Sequence, residues 1–460
     1  MNVAAHVEGR GGVREVFALA IPMIISSACD GVMTFTDRLF LARLGSDQMN
    51  AAMGGAVALQ VLTFFFVGLT GYTTALVAQY FGASEKHSTT VAAFQAIIIT
   101  VCAWPIVVAA RPLAAVYFHF MHLPVSQIGY QFEYLNILAW GSLFSLLRYT
   151  LACYFTGIGK TKVVMVATIT AMSVNVVLDY VLIFGKLGFP SMGVAGAAIA
   201  TVIGSVCAVV MLAVAYVSPM NRKEFSVMRS FHFDAAIMRK LLYFGYPAGL
   251  EFFLNLMAFS AMVSFFHSQG TMVATATTIL FNWDMVSFIP LIGIEIGVTS
   301  LVGRYMGAGE PEIAYRSAIS GIKTGIFYSV VILMLFLFAT EILVRVFSPE
   351  ASSAVFEASV PLAVTMLRIA AAYVLLEAVL VALVGALRGA GDTHFTMVAS
   401  VAAHWTFVPI LYVSFNVFHL SAVTGWALLV VFFLVFCVVL IARFFGGKWK
   451  SIRVVDTPVV

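Results

Sequence analysis

The sequence predicts an all-α integral membrane protein with twelve transmembrane helices in two pseudo-symmetric six-helix lobes. Composition, long apolar runs and an internal repeat together predict this fold class. Of the 460 residues, 62% are hydrophobic and only 10% are charged, whereas soluble domains average about 45–50% apolar and about 25% charged residues. With so few charged residues, a chain of this length could not cover the surface that a water-soluble protein exposes.

The apolar residues form long continuous runs, which are typical of spanning helices and not of the alternating strands of a membrane barrel. Gly, Pro and charged residues divide the chain into about twelve runs that are long enough to cross a bilayer. The predicted spans are 14–43, 51–81, 92–117, 130–157, 162–186, 193–217, 238–266, 273–306, 314–347, 358–388, 394–418 and 421–446.

The distribution of basic residues predicts the orientation. An even number of spans puts both termini on one side, and we place them in the cytoplasm. The cytoplasmic segments then hold 18 of the 25 Lys and Arg residues, and the opposite side holds four. This excess follows the positive-inside rule. We expect a multi-pass protein of the inner (plasma) membrane whose net charge of +4 reflects topology, with the bilayer and not nucleic acid as its partner.

An internal repeat relates the two halves of the chain. The stretch TALVAQYFGASE, from Thr74, and the stretch TSLVGRYMGAGE, from Thr299, share seven of twelve residues at an offset of 225. The stretch GIGKTKVVMVA, from Gly157, resembles GAGDTHFTMVA, from Gly389, at an offset of 232. We expect an N-terminal lobe at 1–217, a cytoplasmic linker at 218–237, a C-terminal lobe at 238–446 and a cytoplasmic tail at 447–460.

Duplicated halves are common in secondary transporters, in which one half moves against the other. Channels and membrane enzymes also contain repeats, so the repeat alone leaves these classes open. The sequence has no H-E-x-x-H or G-x-S-x-G motif, and GIGKT lacks the first glycine of a phosphate-binding loop because Tyr154 is at that position. We therefore expect neither an enzyme nor a bound cofactor.

Several motifs spread over both halves resemble one family. They are TDRLFLARLG at the end of the first span, GASE and GAGE after the second and eighth, GIGKT, NVVLDYVLIFGKLGFPSMGVAGAAIAT, and ALRGAGDT after the tenth. With these motifs the chain resembles the multidrug and toxic compound extrusion (MATE) transporters. The resemblance implies a V-shaped pair of six-helix lobes and antiport, in which H⁺ or Na⁺ entry drives export of organic, often cationic compounds.

We expect a monomer that exports small organic cations, drugs or toxic amphiphiles. A lipid-linked precursor or polysaccharide flippase of the same superfamily is the alternative. A flippase is expected to have a strongly cationic cavity for phosphates, whereas the ionisable residues within the predicted spans are mainly acidic.

Asn175 and Asp179 lie four residues apart in an apolar run, so they share one face of the fifth span. A charged group at such a position is costly unless it is paired, hydrated or neutral. In the family, these residues join an Asp of the first span, here Asp37. A Tyr of the fourth span, here Tyr134, and a Thr of the sixth, here Thr201, also line that cluster.

Two nearby carboxylates in a low dielectric favour uptake of a proton or a cation. We expect Asp37 and Asp179 to carry the coupling ion, with a possible Na⁺ site at Asp37, Asn175 and Asp179. Polar groups that only fix helix packing are the alternative, especially for Asn175 and Thr201. Arg38 beside Asp37 departs from the family pattern.

The C-terminal half has its own acids within predicted spans. Some family members have a second cation site there, and Glu377 fits its tenth-span position. Asn255 occupies the seventh-span position, with Glu251 one turn earlier. Asp284 and Glu295 are candidates for attracting cationic substrates in a central cavity, or alternatively for ion pairs with Arg148 or Arg368. We expect a C-terminal ion or substrate site to draw on five residues, Glu251, Asn255, Asp284, Glu295 and Glu377.

Overall fold

The computed structural model describes residues 9–114, 125–348 and 353–455, without the side chains of residues 46, 125 and 126. Within these ranges all regular secondary structure is helical, and twelve helices are long and apolar enough to cross a membrane. The predicted fold class and number of spans are therefore confirmed. Residues 115–117 of the third predicted span and 456–460 of the predicted tail lie outside the described ranges.

The described residues of the N-terminal half form eight α-helices and a 3₁₀ turn, Val227–Arg229. Helices α2 and α3 together make the second predicted span and meet at Tyr72. The helices are α1 (Val13–Ala42), α2 (Ser46–Gly71), α3 (Thr73–Gly82), α4 (Lys86–Ala110), α5 (Val125–Gly157), α6 (Thr161–Phe184), α7 (Gly193–Tyr216) and the short α8 (Pro219–Phe225).

The described residues of the C-terminal half form seven α-helices and a final 3₁₀ turn, Lys448–Ser451. The helices are α9 (Ala235–His267), α10 (Thr271–Gly307), α11 (Pro311–Phe338), α12 (Thr340–Arg345), α13 (Ala354–Ala390), α14 (Thr393–Asn416) and α15 (Ala422–Phe445).

Local sequence signals explain where several helices begin and end. Gly185 after α6 and Gly391 after α13 have φ values of 66° and 93°, in the left-handed region that glycine adopts at low cost. Ser353 and Ser421 precede α13 and α15, and each side chain accepts the backbone N–H three residues further on. These positions limit the helices to approximately the predicted spans.

The helices pack into two compact units. The N-terminal unit contains Ile25–Phe252, and the C-terminal unit contains Phe253–Met306, Glu310–Arg453 and the residues up to Ile24. Helix α1 therefore contributes to both units, with the change two residues after Pro22. Helix α9 is likewise shared, with the change after Phe252.

The residues before α1 pack on the C-terminal unit. Arg10 forms an ion pair with Glu310, and Gly11 O accepts a hydrogen bond of 2.8 Å from Ser320 Oγ. Gly11 has a φ of +71°, and a methyl group there would lie 2.8 Å from Ile313 O. This position therefore requires glycine, and the start of α1 is held by specific contacts.

The segment after α7 packs on the N-terminal unit. Phe225 at the end of α8 is buried, and Lys86 and Lys160 both lie over its ring. Lys86 Nζ also pairs with Glu224 at 3.0 Å, and Lys160 Nζ donates to Asn221 Oδ1 at 3.0 Å. The predicted linker is thus attached to this unit through α8.

Trp449 in the final 3₁₀ turn is fully buried and stacks on Phe444 with ring centroids 5.2 Å apart. We expect Trp449→Ala to destabilise the purified protein by about 3–5 kcal/mol, because truncating a buried aromatic residue leaves a cavity. Thermal unfolding in detergent measures the effect. Phe445→Ala is the control, since Phe445 is 61% exposed. Equal losses in the two variants would contradict a stabilising role for Trp449.

Candidate functional site

A buried polar cluster in the N-terminal unit contains all five side chains predicted for the N-terminal lobe. Tyr134 OH and Thr201 Oγ1 donate to Asp37 Oδ2 at 3.5 Å and 3.2 Å. Asn175 Nδ2 donates to Thr201 Oγ1 at 3.4 Å, and Asp179 lies within hydrogen-bonding reach of Asp37. The structure brings these residues together from α1, α5, α6 and α7, and their role in transport remains a prediction.

Two side-chain contacts join helices α1 and α6 at the same sequence separation. Ser26 Oγ donates to Thr168 Oγ1 at 2.8 Å, across a sequence separation of 142. Asp37 and Asp179 have the same separation and lie eleven residues further along both helices, which corresponds to about 16 Å. We call the Ser26–Thr168 contact the lower rung and the Asp37–Asp179 contact the acid rung.

Glycines in α7 allow it to approach α6 closely. A methyl group at Gly204 would lie 3.3 Å from Asn175 Cβ, and one at Gly196 would lie 2.8 Å from the carbonyl carbon of Leu182. Small residues at such positions allow membrane helices to pack backbone against backbone. This packing places Thr201 on α7 against Asn175 on α6.

The acid rung is buried, and the described residues around it supply fewer hydrogen-bond donors than its oxygen atoms can accept. Asn175 and Asp179 have no exposed surface, and Asp37 is 5% exposed. Asp37 Oδ1, Asn175 Oδ1 and both carboxyl oxygens of Asp179 accept no hydrogen bond from a donor in the described ranges. Each such buried acceptor costs about 1–3 kcal/mol. A proton shared by the carboxyl groups, or a cation held by these oxygens, would remove this cost.

The available ligand atoms at the acid rung are oxygens. Carboxylate, amide and hydroxyl oxygens suit hard cations such as Na⁺, and the two carboxyl groups can also share a proton. Among the described residues, no group of three or more His, Cys, Asp or Glu side chains could hold a metal ion. The coupling of H⁺ or Na⁺ at these residues remains a prediction.

Two further polar residues, Arg38 and Gln131, lie close to Tyr134. Arg38 is half-buried and lies near enough to Tyr134 for their charges to interact. Sequence reasoning missed Gln131, which is buried one turn before Tyr134 on α5. A methyl group at Gly54 of α2 would lie 2.8 Å from Gln131 Nε2. An amide three residues from Tyr134 in an apolar helix was the signal that could have identified it.

The C-terminal unit contains a second pair of acids, Asp284 on α10 and Glu377 on α13. Their charges interact, and Tyr373 OH donates to Asp284 Oδ1 at 3.0 Å. Glu377 is buried, and its Oε2 accepts no hydrogen bond from the part of the chain that the structure describes. Two of the five predicted C-terminal candidates therefore meet in one cluster, together with a tyrosine that was not predicted.

The other three C-terminal candidates have separate environments in the structure. Asn255 Nδ2 donates to Ser400 Oγ at 2.8 Å. Glu251 is buried and belongs to the N-terminal unit. Glu295 Oε1 accepts a hydrogen bond of 2.6 Å from Arg388 Nη1 in an ion pair. An ion pair was one of the two interpretations of Glu295, and Arg388, instead of Arg148 or Arg368, is its partner.

Arg148 pairs with a different carboxylate, Asp30 on α1, through a contact of 2.9 Å between Nη1 and Oδ1. Sequence reasoning did not select Asp30. The signal was available, because Asp30 precedes Asp37 by seven residues, or two helical turns, on the same face.

The family profile described as MatE matches residues 22–181 and 247–413, which together exceed half of the chain. The chain is 25% identical over 442 residues to a probable multidrug resistance protein NorM from Thermotoga maritima, covering 95% of this chain and 93% of that protein. It is 27% identical over 405 residues to the multidrug resistance protein PmpM from Pseudomonas aeruginosa, covering 86% and 82%.

Solved structures show the same fold. A MOP superfamily transporter from Pyrococcus furiosus matches with a TM-score of 0.87 at 19% identity, covering 96% of this chain and 98% of that one. An outward-facing multidrug resistance MATE family transporter matches with a TM-score of 0.86 at 19% identity and the same coverage. These likenesses concern the fold alone.

The register of α1 and α6 can be tested by cross-linking. In a background without the five native cysteines, we expect Ser26→Cys/Thr168→Cys to form a disulfide under mild oxidation, since the native oxygens are 2.8 Å apart and disulfides require close Cβ atoms. Ser26→Cys/Thr161→Cys is the control, because position 161 lies about 10 Å away along α6. Gel mobility after proteolysis measures the cross-link, and equal yields would contradict the register.

Proposed function

The chain belongs to the MatE family of multidrug and toxic compound extrusion transporters, and from this premise we propose that it exports organic cations and other toxic amphiphiles by antiport with H⁺ or Na⁺. It is a multi-pass membrane transporter and not an enzyme. The names of its relatives NorM and PmpM support multidrug efflux as its activity. The proposal places the protein in the plasma membrane with both termini in the cytoplasm.

One observation carries the coupling part of the proposal. The acid rung puts two carboxyl groups within hydrogen-bonding reach of each other, with buried oxygens that accept no hydrogen bond from the described residues. A group built only to fix helix packing would have its acceptors satisfied. The oxygens of the acid rung instead match the needs of one proton or one small hard cation.

Binding of an ion at the acid rung would drive alternating access by removing the repulsion between the two carboxylates. Without a bound ion, the two carboxylates of Asp37 and Asp179 repel each other and favour separation of α1 from α6. With an ion bound, the contact is attractive and favours their close packing. An ion shifts the equilibrium between two states only as far as its affinities for those states differ. Exchange of drug for ion then follows if drug binding favours the opposite state.

The Asp284–Glu377 pair supports a second ion site in the C-terminal unit. It has the same elements as the acid rung: two interacting acids, a tyrosine hydroxyl donor and a buried carboxylate oxygen that accepts no hydrogen bond from the described residues. Glu295 is a weaker candidate for either site because Arg388 already neutralises it.

A flippase for lipid-linked precursors is the alternative function within the superfamily. It would need a strongly cationic cavity for phosphates, whereas the ionisable residues within the spans are mainly acidic. Proteoliposomes that contain a labelled lipid-linked sugar phosphate distinguish the functions. Translocation of that lipid without ion-driven drug efflux would overturn the proposed antiport.

Asp179→Asn tests the acid rung. We expect drug efflux driven by an ion gradient to fall to the level of empty vesicles, because an amide can neither share a proton as an acid nor supply a negative charge to a cation. The assay is efflux of a fluorescent cation from proteoliposomes under a pH gradient and, separately, a Na⁺ gradient. The gradient that drives the wild type identifies the coupling ion.

Glu312→Gln is the matched control for Asp179→Asn. Glu312 pairs with Lys450 on the surface of the C-terminal unit and its side chain is 79% exposed, so its loss should leave efflux unchanged. Normal efflux by a correctly inserted Asp179→Asn variant would refute coupling at the acid rung.

Glu377→Gln tests the second site. If both acid pairs carry ions, this variant retains efflux but exchanges fewer ions per drug molecule than the wild type. The ratio is measured from the ion gradient that just balances an opposing drug gradient in proteoliposomes. An unchanged ratio would limit coupling to the N-terminal unit.

A further inference from the structure

The Asp30–Arg148 ion pair lies within two spans of the N-terminal unit and has no role in the coupling scheme above. Asp30 is near the middle of α1, and Arg148 is nine residues before the end of α5. Charged residues inside spans are costly and usually mark a functional site. A purely structural pair at this depth would be expected to be buried and fully hydrogen-bonded.

The Asp30–Arg148 pair is neither fully buried nor fully bonded. The side chain of Asp30 is 45% exposed, compared with 22% for Arg148. Because a carboxylate facing lipid hydrocarbon would cost several kcal/mol, the exposed side of Asp30 must meet water or a polar ligand. The acid is therefore the more accessible partner of the two.

The contact between the two side chains is a single hydrogen bond from Arg148 Nη1 to Asp30 Oδ1. Arg–carboxylate pairs are frequently bidentate, which adds both energy and fixed geometry. Arg148 Nε is buried and donates to no acceptor in the described ranges. A pair held by one hydrogen bond is easier to separate than a bidentate pair, so a competing cation can displace Arg148 from Asp30 at a low free-energy cost.

Asp30 is also aligned with the acid rung. Ser26, Asp30 and Asp37 recur at spacings of four and seven residues, which places them on one face of α1. Asp30 lies about 10 Å from Asp37 along the helix. Between them, Thr34 Oγ1 donates to Asp30 O at 3.1 Å. One polar face of α1 thus joins an accessible carboxylate to the buried acid pair.

We propose that Asp30 is the binding site for the cationic group of transported compounds, and that Arg148 is an internal counter-ion which this group displaces. The inference rests on the proposed export of organic cations and names the chemistry that selects them. A planar amidinium or guanidinium group is the best match, because it donates two parallel N–H bonds to a carboxylate where Arg148 donates one. Anions are disfavoured because the exposed partner is the acid.

Equilibrium binding to purified protein in detergent, without any gradient, tests the proposal. The probes are DAPI, which carries two amidinium groups, and its neutral parent compound phenylindole. We expect Asp30→Asn to weaken DAPI binding about tenfold and to leave phenylindole binding unchanged. We expect Arg148→Gln to strengthen DAPI binding, because it removes the competing cation and leaves the carboxylate.

The two single variants should change the affinity for DAPI in opposite directions, which distinguishes a binding site from a structural ion pair. If the pair only stabilises the fold, both variants lose thermal stability and bind both probes equally poorly. That result, or unchanged DAPI binding in Asp30→Asn, would overturn the proposal. Glu224→Gln is the matched control, since it removes a surface ion pair with Lys86 in the same unit and should leave both affinities unchanged.

The double variant Asp30→Asn/Arg148→Gln guards against misfolding of the single variants, because it leaves no unpaired charge. It should bind DAPI as weakly as Asp30→Asn and bind phenylindole normally, and wild-type DAPI affinity in this variant would also overturn the proposal. The binding assay is independent of coupling. If ion-driven efflux fails but DAPI binding depends on Asp30, the antiport mechanism is refuted and this site is retained. If ion-driven efflux is observed but DAPI binding does not depend on Asp30, this site alone is refuted.

Discussion

The contact between the carboxyl groups of Asp37 and Asp179 places two acids side by side in the interior of the N-terminal unit. Two full charges 4 Å apart repel by about 4 kcal/mol at an effective dielectric constant of about 20. Reversing a two-state preference from 1:99 to 99:1 needs about 5.5 kcal/mol. Relief of this repulsion by one proton or cation would supply most of that free energy, and the remainder would have to come from other contacts.

Backbone packing makes this contact possible. The constant register of α1 and α6 sets the acid rung three turns beyond the lower rung, and the glycines of α7 bring Thr201 against Asn175. Because hydrocarbon offers polar groups no partners, the rungs also fix the rotation of each helix about its own axis. The polar residues thus contribute to both the packing and the site.

The sequence predicted the spans and the N-terminal cluster because both depend on local signals. Long apolar runs and left-handed glycines such as Gly185 define the helices, and the spacing of Asn175 and Asp179 places both on one face of α6. Partner choice between distant helices was harder to predict. The interaction of Glu377 with Asp284 was not predicted, and neither was the ion pair of Glu295 with Arg388. Helical periodicity shows which face a residue occupies, but not which helix it meets.

Helix α1 connects the acids to the second unit. It carries Asp30 and Asp37 in the N-terminal unit, whereas its residues up to Ile24 belong to the C-terminal unit, where Tyr305 OH donates to Glu15 Oε2 at 2.8 Å. Pro22 supplies no backbone N–H two residues before the boundary, so the helix lacks one intrahelical hydrogen bond there. Residues of α1 thus belong to both units, and the two acids lie on the part of the helix that belongs to the N-terminal unit.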